Sequence, residues 1–129
     1  MLKEGISGKC SVVVTENNSA KTIGSGTLDV FATPAMIALM EKTAWESVAP
    51  YLSEGEGTVG IHIDATHEAP TPLGMTVTCE SSLVKINGRR LVFEVTASDE
   101  TGLIGKGTHE RFLIKENKFQ KKANEKTRT

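Results

Sequence analysis

Two residues that can carry acid–base chemistry, Glu41 and His67, are predicted to lie where mostly apolar side chains are expected. Glu41 lies beside an apolar stripe, between Met40 and Ala44, and a buried carboxylate is costly unless it has a partner or a task. Strand alternation places His67 on the same face as Ile63, so its imidazole is expected at the same helix–sheet seam. A carboxylate and an imidazole held there can activate water or take up a proton. Two alternatives remain: Glu41 and His67 form a buried pair whose only role is to hydrogen-bond each other, or the His67 side chain is exposed to solvent.

Thr33 offers a hydroxyl at the start of the same helical segment. Pro34 follows it and suits the first turn of a helix, so a helix N-cap is the simplest interpretation of Thr33. A functional interpretation is also open, because a helix N-terminus favours a developing negative charge. Eight residues of helix separate Thr33 from Glu41 by about 12 Å and about 80° of rotation. A joint role therefore needs a third element or a partner subunit.

Candidate binding residues lie on two of the predicted strands. Gly60 can present a backbone N–H to a reacting carbonyl as an oxyanion donor, although a bulge or close packing is the commoner reason for a strand glycine. His109, Glu110 and Arg111 form a polar cluster on the last strand. We expect these polar side chains to be exposed. Arg89 beside a hairpin turn can meet a phosphate or remain solvated.

Periodicity predicts one helix and several strands. Apolar residues recur at three- and four-residue spacing over about 34–51, and Pro50 with the following SEGEG segment ends the helix. Alternating patterns predict strands at 9–15, 58–68, 75–86, 89–98 and 103–114, and Asn87-Gly88 is a strong hairpin signal. Residues 16–29 are rich in turn formers and are expected to be a loop, with a short strand near 21–23 as an option.

This order of elements predicts an α+β domain with the helix on one face of an antiparallel sheet. Five strands at about 4.8 Å span about 24 Å, whereas a helix is only about 10–12 Å across. The sheet is therefore expected to curl round the helix, and a second copy of the chain to add cover. Residues 1–114 are predicted to form this single domain. The lysine-rich segment 115–129 is expected to be a flexible tail.

Composition excludes several classes of function. A chain of 129 residues suits one domain, and its net charge of −1 gives no argument for nucleic-acid or membrane binding. The two cysteines form no CxxC or Cys/His cluster, and His62 and Asp64 lack a third ligand, so no metal site is predicted. With no secretory signal and no long apolar span, a soluble cytoplasmic protein is expected.

Five segments together resemble the fluoroacetyl-CoA thioesterase family of hot-dog proteins. They are VFATPAMIALME (30–41), APYLSEGEG (49–57), THEAPTPLGMTVT (66–78), VKINGRRLVFEV (84–95) and IGKGTHERFLI (104–114). The resemblance covers about 30–119. It implies a hot-dog fold, in which a curved antiparallel sheet of about five strands wraps a long central helix. It also implies a homodimer, with association into tetramers left open, whose acyl-CoA sites lie at the subunit interface.

The resemblance also assigns roles to residues. The threonine of the FAT turn, the glutamate eight residues on and the histidine of the THEAPTP segment match Thr33, Glu41 and His67, as a catalytic set. The strand glycine and the arginine of GTHER match Gly60 and Arg111, as substrate-positioning residues. One departure stands out. Fluoroacetyl-specific members carry a longer, aromatic-containing lid before the FAT turn, whereas 16–29 contains no Phe, Tyr or Trp, so the resemblance does not extend to fluoroacetyl selectivity.

The sequence thus predicts an acyl-CoA thioesterase acting on a small or short-chain acyl-CoA, with the coenzyme A thioester as substrate and no cofactor. A covalent anhydride on Glu41 and direct attack by water are both open. Two other functions remain. A hot-dog hydratase or dehydratase also uses a histidine with a carboxylate, and a non-catalytic protein binding acyl-CoA or a small ligand shares the fold.

Overall fold

A computed structural model describes residues 1–127. Five strands form one antiparallel sheet in the order β1-β3-β4-β5-β2. The strands are β1 (Ser7–Val13), β2 (Glu56–His67), β3 (Thr76–Asn87), β4 (Arg90–Asp99) and β5 (Gly102–Lys115). The predicted α+β class and the hairpin at Asn87-Gly88 are confirmed. Strands β3 to β5 form a meander, whereas β2 pairs with β5 and not with β3, its successor in the chain. Strands β1 and β2 lie at the two edges of the sheet, so the outer edge of β2 has no strand partner among the described residues.

The long helix α2 (Thr33–Val48) packs on one face of this sheet. The apolar stripe is buried as its spacing predicted, with Met36, Leu39, Met40, Ala44 and Val48 facing the sheet. The α-helix ends three residues earlier than predicted. Residues Ala49–Tyr51 form a tighter 3-10 turn because Pro50 cannot donate a backbone hydrogen bond.

The core between α2 and the sheet is mainly aliphatic. Strands β3 and β4 alternate inward and outward, and their inward residues are fully buried or nearly so: Val77, Cys79, Leu83, Leu91, Phe93, Val95 and Ala97. Burial of each large apolar side chain stabilises the fold by roughly 1.5–3 kcal/mol. Cys10 and Cys79 are direct cross-strand neighbours, and both thiols are free.

One irregularity interrupts the pairing of β2 with β5. Gly60 pairs with Arg111 and His62 with Glu110, so Ile61 is left without a partner and is half exposed. This β-bulge inserts one extra residue and shifts the alternation of the strand. Gly60 therefore lies on the same face as Ile63 and His67. Regular alternation from His67 would place Val59 and Ile61 on this face instead of Gly60, and the bulge breaks that pattern.

The segment before α2 is helical where a short strand was an option. Residues Glu16–Asn18 form a 3-10 turn, and Ala20–Ile23 form the one-turn helix α1. Ser19 caps α1 by accepting the N–H of Thr22. Gly24 ends the helix at φ +91°, in the left-handed region that favours glycine.

The expected flexible tail is also helical. Residues Glu116–Asn124 form the exposed helix α3, followed by a 3-10 turn over Glu125–Thr127. The N–H of Glu116 donates to the carbonyl of Gly55 and ties α3 to the turn that precedes β2. An acidic first turn and a basic last turn also suit the helix dipole. The remainder of that prediction, 128–129, lies outside the described residues. Within 1–127, no helix is long and apolar enough to cross a membrane.

Candidate functional site

His67 ends β2 beside the start of α2, where it meets Thr33. The Thr33 Oγ1 atom lies 2.7 Å from His67 Nδ1. The predicted capping role of Thr33 is wrong: Ala32 occupies the N-cap position, the helix has no side-chain cap, and the threonine side chain bonds the imidazole instead. Within residues 1–127, the buried His67 Nε2 has no hydrogen-bond partner. Burial lowers the pKa of His67, and the nearby Ala69 backbone opposes this to a smaller extent, so the environment favours the neutral imidazole.

The Thr33/His67 pair lines a cavity of about 300 Å³. Its other walls come from α1, the loop that follows α1, and the segment after β2: Ala20, Ser25, Val30, Phe31, Glu68, Ala69 and Pro70. The cavity therefore has the predicted loop region 16–29 on one side and the pair of polar side chains on the other. Its volume is of the size that suits a small ligand group.

A second group of residues forms around Glu41, in the middle of α2. The Glu41 Oε2 atom lies 3.7 Å from Arg111 Nη1, and the glutamate side chain is 42% exposed whereas the arginine is 7% exposed. A Cβ placed on Gly60 would lie 2.6 Å from Glu41 Oε2. Any other residue at this position would push the carboxylate aside, so the glycine allows the close approach of strand and side chain.

Arg111 is buried, contrary to the expectation that the polar side chains of this strand are exposed. Its Nε donates to Thr58 Oγ1 at 2.8 Å and its Nη2 to the Thr58 carbonyl at 3.0 Å. Its Nη1 lies 3.1 Å from Nε2 of His109, which is 1% exposed. Burial lowers the pKa of Arg111, and the Glu41 carboxylate opposes this. Arg111 presents a fixed positive charge to Glu41, and we name Thr58, Gly60, Glu41, His109 and Arg111 the Glu41 cluster.

Sequence reasoning missed two members of the Glu41 cluster, Thr58 and His109. His109 faces inward with Arg111, because the β5 residues 105, 107, 109, 111 and 113 share one side of the strand. Thr58 lies on β2, where it pairs with Leu113 of that same side. Gly105 and Gly107 carry the signal that could have revealed this. A Cβ on Gly105 would meet Met36 of α2, and one on Gly107 would meet the backbone of β2. Two glycines on alternate positions mark a face approached closely by other elements.

The Thr33/His67 pair and the Glu41 cluster remain apart within one chain. Gly60 and His67 are seven residues apart on β2, which is about 20 Å along a strand. No hydrogen bond or ion pair among the described residues joins Glu41 to Thr33 or His67. The expected meeting of Glu41 and His67 at one seam does not occur inside a single chain. The same part of the chain contains no group of three His, Cys, Asp or Glu residues placed to hold a metal ion.

Comparisons with known proteins first define the class. A hot-dog-like protein from Thermanaerovibrio acidaminovorans superposes with a TM-score of 0.88, over 98% of this chain and 93% of that chain, at 23% identity. This likeness concerns the fold alone, and the predicted hot-dog fold is confirmed. A Thr-to-Ser variant of the fluoroacetyl-CoA thioesterase FlK, solved with acetyl-CoA, is 37% identical and superposes with a TM-score of 0.93, over 98% and 99% of the two chains.

The sequence comparisons then give the family. Residues 14–117 match the FlK family, described as fluoroacetyl-CoA-specific thioesterase. The fluoroacetyl-CoA thioesterase of Streptantibioticus cattleyicolor is 48% identical over 99 residues, which is 77% of this chain and 71% of that protein. The chain therefore belongs to the fluoroacetyl-CoA-specific thioesterase family. The predicted resemblance and the predicted class of enzyme, a thioester hydrolase of acyl-CoA, are confirmed.

The partly buried histidine of the Thr33/His67 pair leads to a prediction about stability. Because its pKa is lowered in the folded protein, the unfolded chain binds more protons once the pH drops below about 6.5. The free energy of unfolding should therefore fall between pH 7.5 and pH 5. Urea unfolding at fixed protein concentration measures this, and His67→Gln should lose less stability over the same range than the parent. His62→Gln, which removes an exposed imidazole, is the control. An identical decline in the parent and in His67→Gln would contradict the prediction.

Proposed function

We propose that this protein hydrolyses a small or short-chain acyl-CoA to the free acid and coenzyme A. One observation carries the proposal most directly. Glu41 is held 3.7 Å from a buried arginine, against a glycine that leaves room for its carboxylate. A family of thioester hydrolases supplies the context for that arrangement.

The chemistry of each side chain determines the role that we assign to it. Glu41 acts on the thioester in one of two ways. It attacks the carbonyl carbon, so that the C–S bond breaks and an anhydride forms that water then hydrolyses, or it removes a proton from a water that attacks the same carbon. In both routes coenzyme A leaves as a thiolate and takes up a proton. Neutral His67 transfers protons, and Thr33 fixes its ring orientation through Nδ1. The backbone N–H of Gly60 stabilises the oxyanion, and Arg111 holds the carboxylate in place. No cofactor is needed, because the reaction only transfers the acyl group from the sulfur of coenzyme A to water.

A homodimer completes the site in this proposal. Strand β2 is twelve residues long with one edge unpaired, and such an edge invites pairing with another strand. Antiparallel pairing of two β2 strands about a two-fold axis at Asp64 would, with Ile61 bulged out of the pairing, set Gly60 of one copy opposite His67 of the partner subunit. Each Glu41 cluster would then face the Thr33/His67 pair of the other copy. Exposed Trp45, one turn from Glu41 on α2, would gain cover at the same interface.

The coenzyme A moiety would bind along α3. Glu116, the first residue of α3, lines a cavity beside Arg111 together with Trp45 and Thr58. The neighbouring cavity, of about 270 Å³, has four cationic side chains and two phenylalanines among its lining residues: Arg89, Lys115, Lys118, Lys122, Phe112 and Phe119. No ion pair within residues 1–127 neutralises these four cations. A cationic surface with aromatic rings suits phosphates joined to a flat base.

The acyl group would occupy the cavity at the Thr33/His67 pair. Its volume of about 300 Å³ suits a small acyl chain. Ser25 and Ala20 stand on its loop side, and segment 16–29 supplies no aromatic ring to close over the ester. We therefore expect fluoroacetyl-CoA to be hydrolysed no better than acetyl-CoA. The cytoplasmic location stays a prediction.

Removal of the carboxylate tests the assigned chemistry. Glu41→Gln should lower kcat by about 100-fold or more, because an amide neither attacks the carbonyl nor accepts the proton. Thiol release is followed on a panel from acetyl- and fluoroacetyl-CoA through branched short chains to phenylacetyl-CoA. Glu46→Gln on the same helix is the matched control and should keep parental rates. If the parent binds the esters tightly without turnover, the result would instead favour a non-catalytic binding protein. Hydration of an enoyl-CoA by the parent would favour a hydratase.

Charge reversal tests the coenzyme A surface. The double variant Lys118→Glu, Lys122→Glu should raise KM for an acyl-CoA by about tenfold at low salt, with kcat little changed, since about 1.4 kcal/mol of binding is lost. The N-acetylcysteamine ester of the same acid lacks the phosphates, so its kcat/KM should not change. The double variant Lys3→Glu, Lys9→Glu is the control, because it makes the same change of charge outside the proposed coenzyme A surface. Equal KM values for the two double variants would exclude α3 as the binding surface.

A further inference from the structure

The buried imidazole of His109 has one protonation state that satisfies both of its neighbours. Its Nδ1 lies 2.8 Å from the His62 carbonyl oxygen, and its Nε2 lies 3.1 Å from Arg111 Nη1. The carbonyl oxygen only accepts a hydrogen bond and the guanidinium only donates. His109 must therefore be neutral, with its proton on Nδ1 and its lone pair on Nε2 directed at Arg111.

That lone pair completes the set of acceptors that holds the guanidinium. Thr58 accepts from Nε and Nη2, and His109 accepts from Nη1. The same Nη1 faces Glu41 Oε2 at 3.7 Å. A Cβ on Gly60 would touch both the His109 ring, at 3.2 Å, and the Glu41 carboxylate, at 2.6 Å. His109 thus lies behind Arg111, with its ring and the Glu41 carboxylate both next to Gly60.

A proton on Nε2 would break this arrangement. It would remove the acceptor and set a second cation 3.1 Å from the guanidinium. Burial lowers the pKa of His109 and Arg111 lowers it further, while the His62 carbonyl and the charges of Glu41 and Glu110 oppose this. Phe93 of β4 packs at a ring-centroid distance of 6.3 Å and carries no charge. The environment as a whole favours the neutral imidazole.

We propose that His109 is a positioning residue of the thioesterase reaction: as a neutral acceptor it holds Arg111 against Glu41, and its protonation releases Arg111. The proposal rests on the proposed function. It assigns to His109 no contact with the substrate. Its effect on the reaction passes through the orientation of the arginine and then of the carboxylate.

Two substitutions of His109 distinguish the loss of its hydrogen-bond acceptor from the loss of its imidazole ring. His109→Leu keeps an apolar side chain of similar size but leaves Arg111 Nη1 without its acceptor, and it should lower kcat/KM by about 10- to 100-fold. His109→Gln keeps an amide oxygen for Arg111 and an amide N–H for the His62 carbonyl, so it should recover most of that loss at pH 7.5. Between pH 8 and pH 4.5, His109→Gln should also show a shallower acid limb than the parent, because one titrating group is gone.

A readout without substrate keeps this test independent of the proposed function. The Arg111 Nε–H resonance in ¹⁵N-labelled protein should move as the parent is acidified and should stay in place in His109→Gln. Parental kcat/KM in a folded His109→Leu protein, or an Arg111 resonance that moves equally in the parent and in His109→Gln, would overturn the proposal. Absence of thioester hydrolysis by the parent would overturn the proposed function alone, since the Arg111 titration would still report on His109.

Discussion

The constraint on which the site depends is the single β-bulge in β2. A regular strand would turn Gly60 away from the face that carries His67, and the Glu41 carboxylate would meet a different residue. The unpaired Ile61 shifts the alternation by one, so Gly60 and His67 both face α2. The pairing of Gly60 with Arg111 then aligns the arginine with the carboxylate. One extra residue in an edge strand thus decides which side chains share the space under the helix.

The Glu41 cluster shows how a charge is kept in a mostly aliphatic interior. Arg111 would be very costly to bury alone, and three acceptors on Thr58 and His109 give each of its three nitrogens a hydrogen-bond partner. Glu41 remains part exposed at the rim, where a substrate can reach it. The Thr33/His67 pair has the complementary design, with a neutral imidazole and a cavity beside it. Neither group alone brings the Glu41 carboxylate together with the His67 imidazole.

Much of the fold could be predicted from periodicity. The stripe of α2 and the alternation of β3 and β4 follow directly from the positions of apolar residues, and the Asn87-Gly88 turn fixes their hairpin. The bulge could not be predicted, because a pattern of alternate residues carries no sign of where one is skipped. The burial of His109 and Arg111 was missed for a related reason: both faces of β5 carry polar residues, so alternation cannot tell which face meets α2. Thr33 looked like a cap because its tertiary partner, His67, is 34 residues away.

Mixing two inactive variants tests the central claim, that each active site takes Glu41 from one chain and Thr33 and His67 from the other. Glu41→Ala and His67→Ala proteins would be unfolded together, refolded at equal concentration, and assayed for thioester hydrolysis beside each variant refolded alone. The account predicts recovery of about one quarter of parental activity, because half the dimers are mixed and each mixed dimer has one intact site. No recovery, with mixed dimers demonstrated by mass spectrometry, would show that all three residues act within one chain and would contradict the account.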